Sequence, residues 1–139
     1  MTTDVFAPAQ RSAVMRSVKS RDTAPELQVR ALVRSLGFAR RYRLGGAGLP
    51  GKPDLVFGGL RKAIFVHGCF WHGHACARGA RAPKANAAYW RAKIARNRAR
   101  DLGAVVSLRA QGWRVLIVWE CTLRDRAGVE RRLSQFLGV

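Results

Sequence analysis

The chain has 139 residues, of which 48% are hydrophobic, enough for one real core and too few for a second domain of ordinary size. Twenty-six Lys and Arg stand against 8 Asp and Glu, a formal charge of +18, which calls for a polyanionic partner. Neither a run of about 18 apolar residues nor a basic stretch followed by an apolar core is present, so a membrane span and a signal peptide are not expected and a cytoplasmic location is.

The basic excess is mostly arginine, whose planar fork pairs with phosphates and guanine edges. A GC-rich genome explains arginine in place of lysine; it does not explain the excess over acids. The three cysteines, Cys69, Cys76 and Cys121, are an odd set that suits metal ligation better than a disulfide framework.

Residues 1–20 are polar, small or basic apart from Val14, Met15 and Val18, and read as an N-terminal arm ahead of a single domain over 21–139. Thr23-Ala-Pro-Glu26 has the form of a capping box with an early proline, and predicts a helix to about Leu36, stopped by Gly37. Leu27, Ala31, Leu32 and Leu36 are its expected buried face. A glycine- and proline-rich loop, Gly45 to Pro53, then delivers the chain to Asp54.

Asp54-Leu-Val-Phe57 and Lys62-Ala-Ile-Phe-Val-His67 are predicted strands of an antiparallel hairpin turned at Gly58-Gly59, with Asp54 and His67 at one open end. Beyond the segment from Gly68 to Cys76, a long basic helix is expected from about Ala87 to Ala110, with Gly103 as a place to break. Its apolar face is read as Trp90, Ile94, Leu102, Val105 and Leu108. Trp113 to Glu120 is apolar enough for a central strand, and Arg126 to Leu137 is a closing amphipathic helix. Helices alternating with strands in this order predict an α/β sheet with helices on its faces.

Cys69-x4-His74-x-Cys76, with Cys121 after the last strand, offers three thiolates and an imidazole. That is a closed tetrahedral set suited to structural Zn2+, although isolated cysteines more often serve as small buried hydrophobes. A closed set leaves no position for water, so chemistry has to come from elsewhere. Asp54 at the head of a strand, with the backbone carbonyl of Val66 opposite, offers oxygen ligands for Mg2+, but a Pro-Asp dipeptide is also common in turns. His67 and His72 are the remaining histidines, with a near-neutral pKa fit for acid–base work or a structural role in the tight turn. Glu26 reads on spacing as the acid of its own capping box, and Phe70, Trp71 and Trp90 read as either core or base-pair wedges.

Four segments together resemble the very-short-patch repair endonuclease family: Met15-Arg-Ser-Val-Lys-Ser-Arg-Asp-Thr-Ala-Pro-Glu-Leu27, Pro50-Gly-Lys-Pro-Asp-Leu-Val-Phe57, Ile64-Phe-Val-His-Gly-Cys-Phe-Trp-His72 and Gly112-Trp-Arg-Val-Leu-Ile-Val-Trp-Glu-Cys121. The likeness runs from about Ser12 to Leu123.

It implies a restriction-endonuclease-like mixed sheet flanked by helices, with Mg2+ held by Asp54 and the Val66 carbonyl. It further implies a catalytic pair of His72 and Asp101 assisted by His67 and Glu26, and Zn2+ on Cys69, His74, Cys76 and Cys121. Phe70, Trp71 and Trp90 would intercalate from the major groove, and the segment with Met15 would pack in the minor groove. Val66 stands where a threonine can occur, which spares a carbonyl ligand, while Gly73 and Ala75 thin the histidine-rich turn.

The implied activity is nicking of double-stranded DNA 5′ of the thymine in a T:G mismatch, the start of very-short-patch repair of deaminated 5-methylcytosine. A monomer suffices for it, alongside a cytosine-5 methyltransferase system and mismatch-repair proteins. Its rivals are a catalytically inactive zinc-stabilised mismatch-binding module and a nuclease of the same fold that cuts matched DNA.

Overall fold

The structure, a computed structural model, describes residues 23–38, 42–69, 72, 74 and 85–139. Its elements are helix α1 (Ala24–Ser35), strands β1 (Leu55–Phe57) and β2 (Lys62–His67), helix α2 (Ala87–Ala110), strand β3 (Arg114–Trp119) and helix α3 (Arg126–Leu137). Short 3-10 turns occupy Gly45–Gly48, Gly58–Leu60 and Glu120–Arg124. The expected arm, with Met15, lies outside the described residues, as do Phe70, Trp71 and Cys76. No helix among the described residues is long and apolar enough to cross a membrane.

β2 pairs antiparallel with β1 and parallel with β3, so the sheet is mixed. Helices cover both faces. Val29 and Val33 of α1 and Val129 and Leu133 of α3 meet Leu55, Phe57, Ile64 and Val118 on one face, while Ala104 and Leu108 of α2 meet Phe65 on the other. This is the expected restriction-endonuclease-like architecture. Among the described residues the strand order is β1-β2-β3, so β2 is central rather than β3. The half-buried pattern of β3 matches that position.

Thr23 is the N-cap the sequence predicts for α1, accepting the Glu26 N–H on Oγ1 at 3.4 Å, while the Glu26 side chain, expected as the acid of the capping box, pairs with Arg30. The buried face is different. Glu26, Val29, Arg30, Leu32 and Val33 point inward, whereas Leu27 is 49% exposed and Ala31 is exposed. Glu26 and Arg30, one helical turn apart on α1, are buried together as an ion pair, and a paired charge is cheaper to bury than a lone one. Helix α2 runs unbroken through Gly103, and Leu102 faces solvent at 67% exposure instead of joining Trp90, Val105 and Leu108 inside.

The loop before β1 is held against α2 by Gly51. With φ +73°, an added Cβ there would stand 2.5 Å from the Ala104 Cβ, so only glycine allows this approach. The anchoring fixes where Asp54 emerges. An Asp54 N–H bond to the Ile64 carbonyl, 2.9 Å, then extends the β1–β2 ladder by one residue.

Candidate functional site

The open end of the β2–β3 pair carries three groups of polar side chains. The first is built on the head of β1. Asp54 Oδ2 accepts the Val66 N–H at 2.6 Å. In an extended strand the N–H and C=O of one residue point to the same edge, so the Val66 carbonyl faces Asp54 too. Glu26, buried on α1, hydrogen-bonds the Asp54 carboxyl and pairs with Arg30 on its other side.

Burial and the Glu26 hydrogen bond and charge push Asp54 up to about 7 from 3.8, against the opposing pull of the Val66 N–H and Arg30. Two carboxyls and one backbone carbonyl edge form a hard oxygen donor set of the kind Mg2+ takes.

The second group sits on the α2 face. His67 ends β2, and a tight turn with His72 N–H bonded to the Gly68 carbonyl at 3.2 Å folds His72 back over it. The two imidazoles lie 3.8 Å apart with planes 1° from parallel. His72 Nδ1 stands 2.6 Å from Oδ2 of Asp101 on α2. Because the carboxylate can only accept, Nδ1 is the donor and Nε2 is left free to take a proton. His67 is 4% exposed and its Nδ1 has no hydrogen-bond partner among the described residues. Burial, and next the His72 charge, lower its pKa to about 4 against the pull of Asp101, so its ring is neutral near pH 7.

The third group comprises Cys69, His74 and Cys121, whose ligand atoms all lie within 4.8 Å of one another. Cys121 Sγ is 3.5 Å from His74 Nδ1, and the Cys121 N–H donates to Cys69 Sγ at 3.3 Å. The His74 N–H bonds the Cys69 carbonyl at 3.0 Å, which closes the turn that carries both ligands. Soft sulfur and imidazole donors this close fit Zn2+. The fourth expected ligand, Cys76, is outside the described residues.

His67, His72 and Asp101 also lie within 4.8 Å of one another and form a second cluster able to hold a metal ion. Their chemistry differs from the thiolate group's. Imidazole lone pairs lie in the ring plane, and two rings stacked at 1° aim them along parallel planes rather than at one point.

The structure thus brings together Asp54, Val66 and Glu26, then His67, His72 and Asp101, then Cys69, His74 and Cys121. Trp90 is 4% exposed at the start of α2 and edge-on to Tyr89 at 5.0 Å. Two further residues contribute to these groups. Arg30 follows Glu26 by four residues, a spacing that signals a helical ion pair. Trp119 touches both His67 and His74, and only its place just before Glu120-Cys121 hinted at that.

Residues 3–78 match the model of the family described as DNA mismatch endonuclease Vsr. The type II nicking enzyme V.XorIIP of Xanthomonas oryzae pv. oryzae is 47% identical over 135 residues, 97% of each chain. The type II nicking enzyme V.NmeAIP of Neisseria meningitidis is 39% identical over 97% of this chain and 94% of its own. The DNA mismatch endonuclease Vsr of Escherichia coli is 45% identical over 88% of this chain and 77% of its own.

Proposed function

Because the chain belongs to the Vsr family of DNA mismatch endonucleases, we propose that it nicks double-stranded DNA 5′ of the thymine in a T:G mismatch by Mg2+-dependent hydrolysis, the first step of very-short-patch repair of deaminated 5-methylcytosine. The observation that carries this reading is the 2.6 Å contact of His72 with Asp101, an imidazole oriented by a carboxylate as a general base has to be.

Asp54, the Val66 carbonyl and, through Asp54, Glu26 would hold Mg2+. Bound there, the ion supplies positive charge to the scissile phosphate. His72 Nε2 takes a proton from a water placed in line with the phosphorus–O3′ bond. The water oxygen bonds to phosphorus, the bond to O3′ breaks, O3′ takes a proton from solvent water, and the products are a 3′-hydroxyl and a 5′-phosphate. Asp101 stabilises the imidazolium that forms. Neutral His67 is the neighbour this step needs, since a charged ring 3.8 Å away would repel that imidazolium.

Cys69, His74 and Cys121, with Cys76, would hold Zn2+ as a structural staple. Phe70 and Trp71 are proposed as wedges beside the mismatch, and Met15 as a contact from the opposite groove. Trp90, buried in the DNA-free chain, would join them only once uncovered. A T:G wobble stacks less well than T:A, which makes insertion beside it cheaper and supplies part of the selectivity. One chain suffices for one lesion, and the cytoplasm, a cytosine-5 methyltransferase system and mismatch-repair proteins are the expected setting.

The test is nicking of end-labelled duplexes, identical except for one T:G or T:A pair, in Mg2+. A nick 5′ of the thymine in T:G alone is expected. Equal cutting of T:A would make the protein a general nuclease, and tight T:G binding without cutting would make it a recruiting module.

A further inference from the structure

The thiolate group and the histidine pair share one side chain. β2 and β3 run in register to their last rung, where His67 lies beside Trp119, so both side chains stand on the same face of the sheet. The Trp119 ring stacks on His74 at 4.2 Å and 19°. It meets His67 at 5.1 Å and 74°, and His72 at 6.3 Å and 73°. All three histidines of the chain therefore pack around one indole.

Two residues later the same strand end delivers Cys121, whose Sγ is 3.5 Å from His74 Nδ1. The His74 ring is confined by the indole on its face and the thiol at its edge. On the other side, His67 Nδ1 has no hydrogen-bond partner among the described residues to set the angle of the ring. Its ring packs against Phe65, His72 and Trp119.

We propose that Trp119 is a positioning residue that couples the zinc staple to the hydrolytic histidine pair: by holding His74 and His67 at once, it makes the angle of the His67–His72 stack depend on an intact thiolate site. This rests on the reading of His72 as the base. Loss of the ring frees His74 on one side and His67 on the other. A ligand less firmly held leaves zinc sooner, and a base displaced by a fraction of an ångström works more slowly without any loss of DNA affinity.

The experiment uses the zinc-loaded full chain as wild type, Trp119→Leu and Trp119→Phe. Three quantities are read: the single-turnover nicking rate on T:G duplex at saturating protein, the Kd for that duplex, and the rate of zinc release to a chromogenic chelator. Trp119→Leu is expected to lower the rate about 10-fold at unchanged Kd and to speed zinc release about 10-fold. Trp119→Phe, which restores a ring against His74, should bring both back to within about threefold of wild type. A leucine variant altered in only one of the two, or a phenylalanine variant no better than leucine, overturns the proposal.

Should Trp119→Leu fail to keep its zinc on purification, wild-type protein answers the same question. Replacing Zn2+ by the larger Cd2+ is expected to move the ring Cε1–H resonances of His67 and His72 along with that of His74. A shift confined to His74 overturns the coupling. If wild-type protein nicks no duplex, the functional reading fails, while zinc release and the three histidine resonances still decide whether the indole links the two groups.

Discussion

Asp54 and Asp101 are both half-buried aspartates, one at the head of β1 and one within α2, and their neighbours differ in sign. Asp54 faces another carboxyl, Glu26, and is pushed up to about 7 by burial and by that neighbour. Asp101 faces the imidazole of His72 at 2.6 Å. Ionising the first concentrates negative charge that a cation can absorb, while the second is matched by the N–H it accepts. On the proposed function, environment rather than residue type would divide the two into a cation site and a proton-handling site.

The largest effects come from neutralising Asp54 and from removing the imidazole that Asp101 holds. Asp54→Asn keeps an acceptor for the Val66 N–H and a donor for Glu26, so it should fold and retain zinc, yet lose about 10³-fold or more in Mg2+-dependent nicking of T:G duplex. His72→Ala is expected to lose about 10²–10⁴-fold with duplex Kd unchanged. Full activity in either variant, measured at saturating Mg2+, would remove that residue from the chemistry.

Next in size is the staple. Cys121→Ser removes one thiolate, and should reduce bound zinc measured by metal analysis and lower Tm by about 5–10 °C. Unchanged zinc and Tm would show that the cysteines are merely buried.

A smaller effect follows from proton linkage. Between 3.8 and about 7 the folded protein keeps the Asp54 proton that the unfolded chain has lost, so this group makes stability fall as pH rises through that window. His67, lowered from 6.5 to about 4, acts oppositely: its contribution is full above 6.5 and is lost as pH falls toward 4. The two largely offset in the wild type. In Mg2+-free buffer the Tm advantage of Asp54→Asn over wild type should therefore grow by about 3–5 °C from pH 5.5 to 7.5, and a constant difference by calorimetry would refute the raised Asp54 pKa.

The smallest effect concerns the arginines. A cavity of about 600 Å³ beside Cys121 is lined by Arg124, Arg131 and Arg132. If two of them contact phosphates, Arg131→Ala with Arg132→Ala should reduce the log–log salt dependence of duplex binding by about 2. An unaltered slope would place the DNA elsewhere.

Much of this was legible in the residues, and the gaps have causes. The Thr23 N-cap of α1, the β1–β2 hairpin and the full extent of α3 follow from caps, glycines and alternation, all local signals. The inward face of α1 does not, because hydrophobicity pointed to Leu27 and Ala31 while the fold turned Glu26 and Arg30 inward toward Asp54. Leu102 was misplaced for a related reason: α2 is oriented so that Asp101 reaches His72, and the apolar residue next to it faces out. β3 is apolar like a central strand, yet it lies outside β2 among the described strands, since composition does not report strand order. Trp119 escaped notice because its partners come from other strands and turns.

The division of labour between the two aspartates is tested most directly by titrating Mg2+ against the single-turnover nicking rate of T:G duplex for wild type, Asp54→Asn and Asp101→Asn. Asp101→Asn is expected to lower the maximal rate by about 10²-fold while the half-saturating Mg2+ concentration stays at the wild-type value, and only Asp54→Asn is expected to lose its response to Mg2+. A half-saturation point displaced in Asp101→Asn as it is in Asp54→Asn would contradict that division, and would make the His67, His72 and Asp101 cluster the metal site instead.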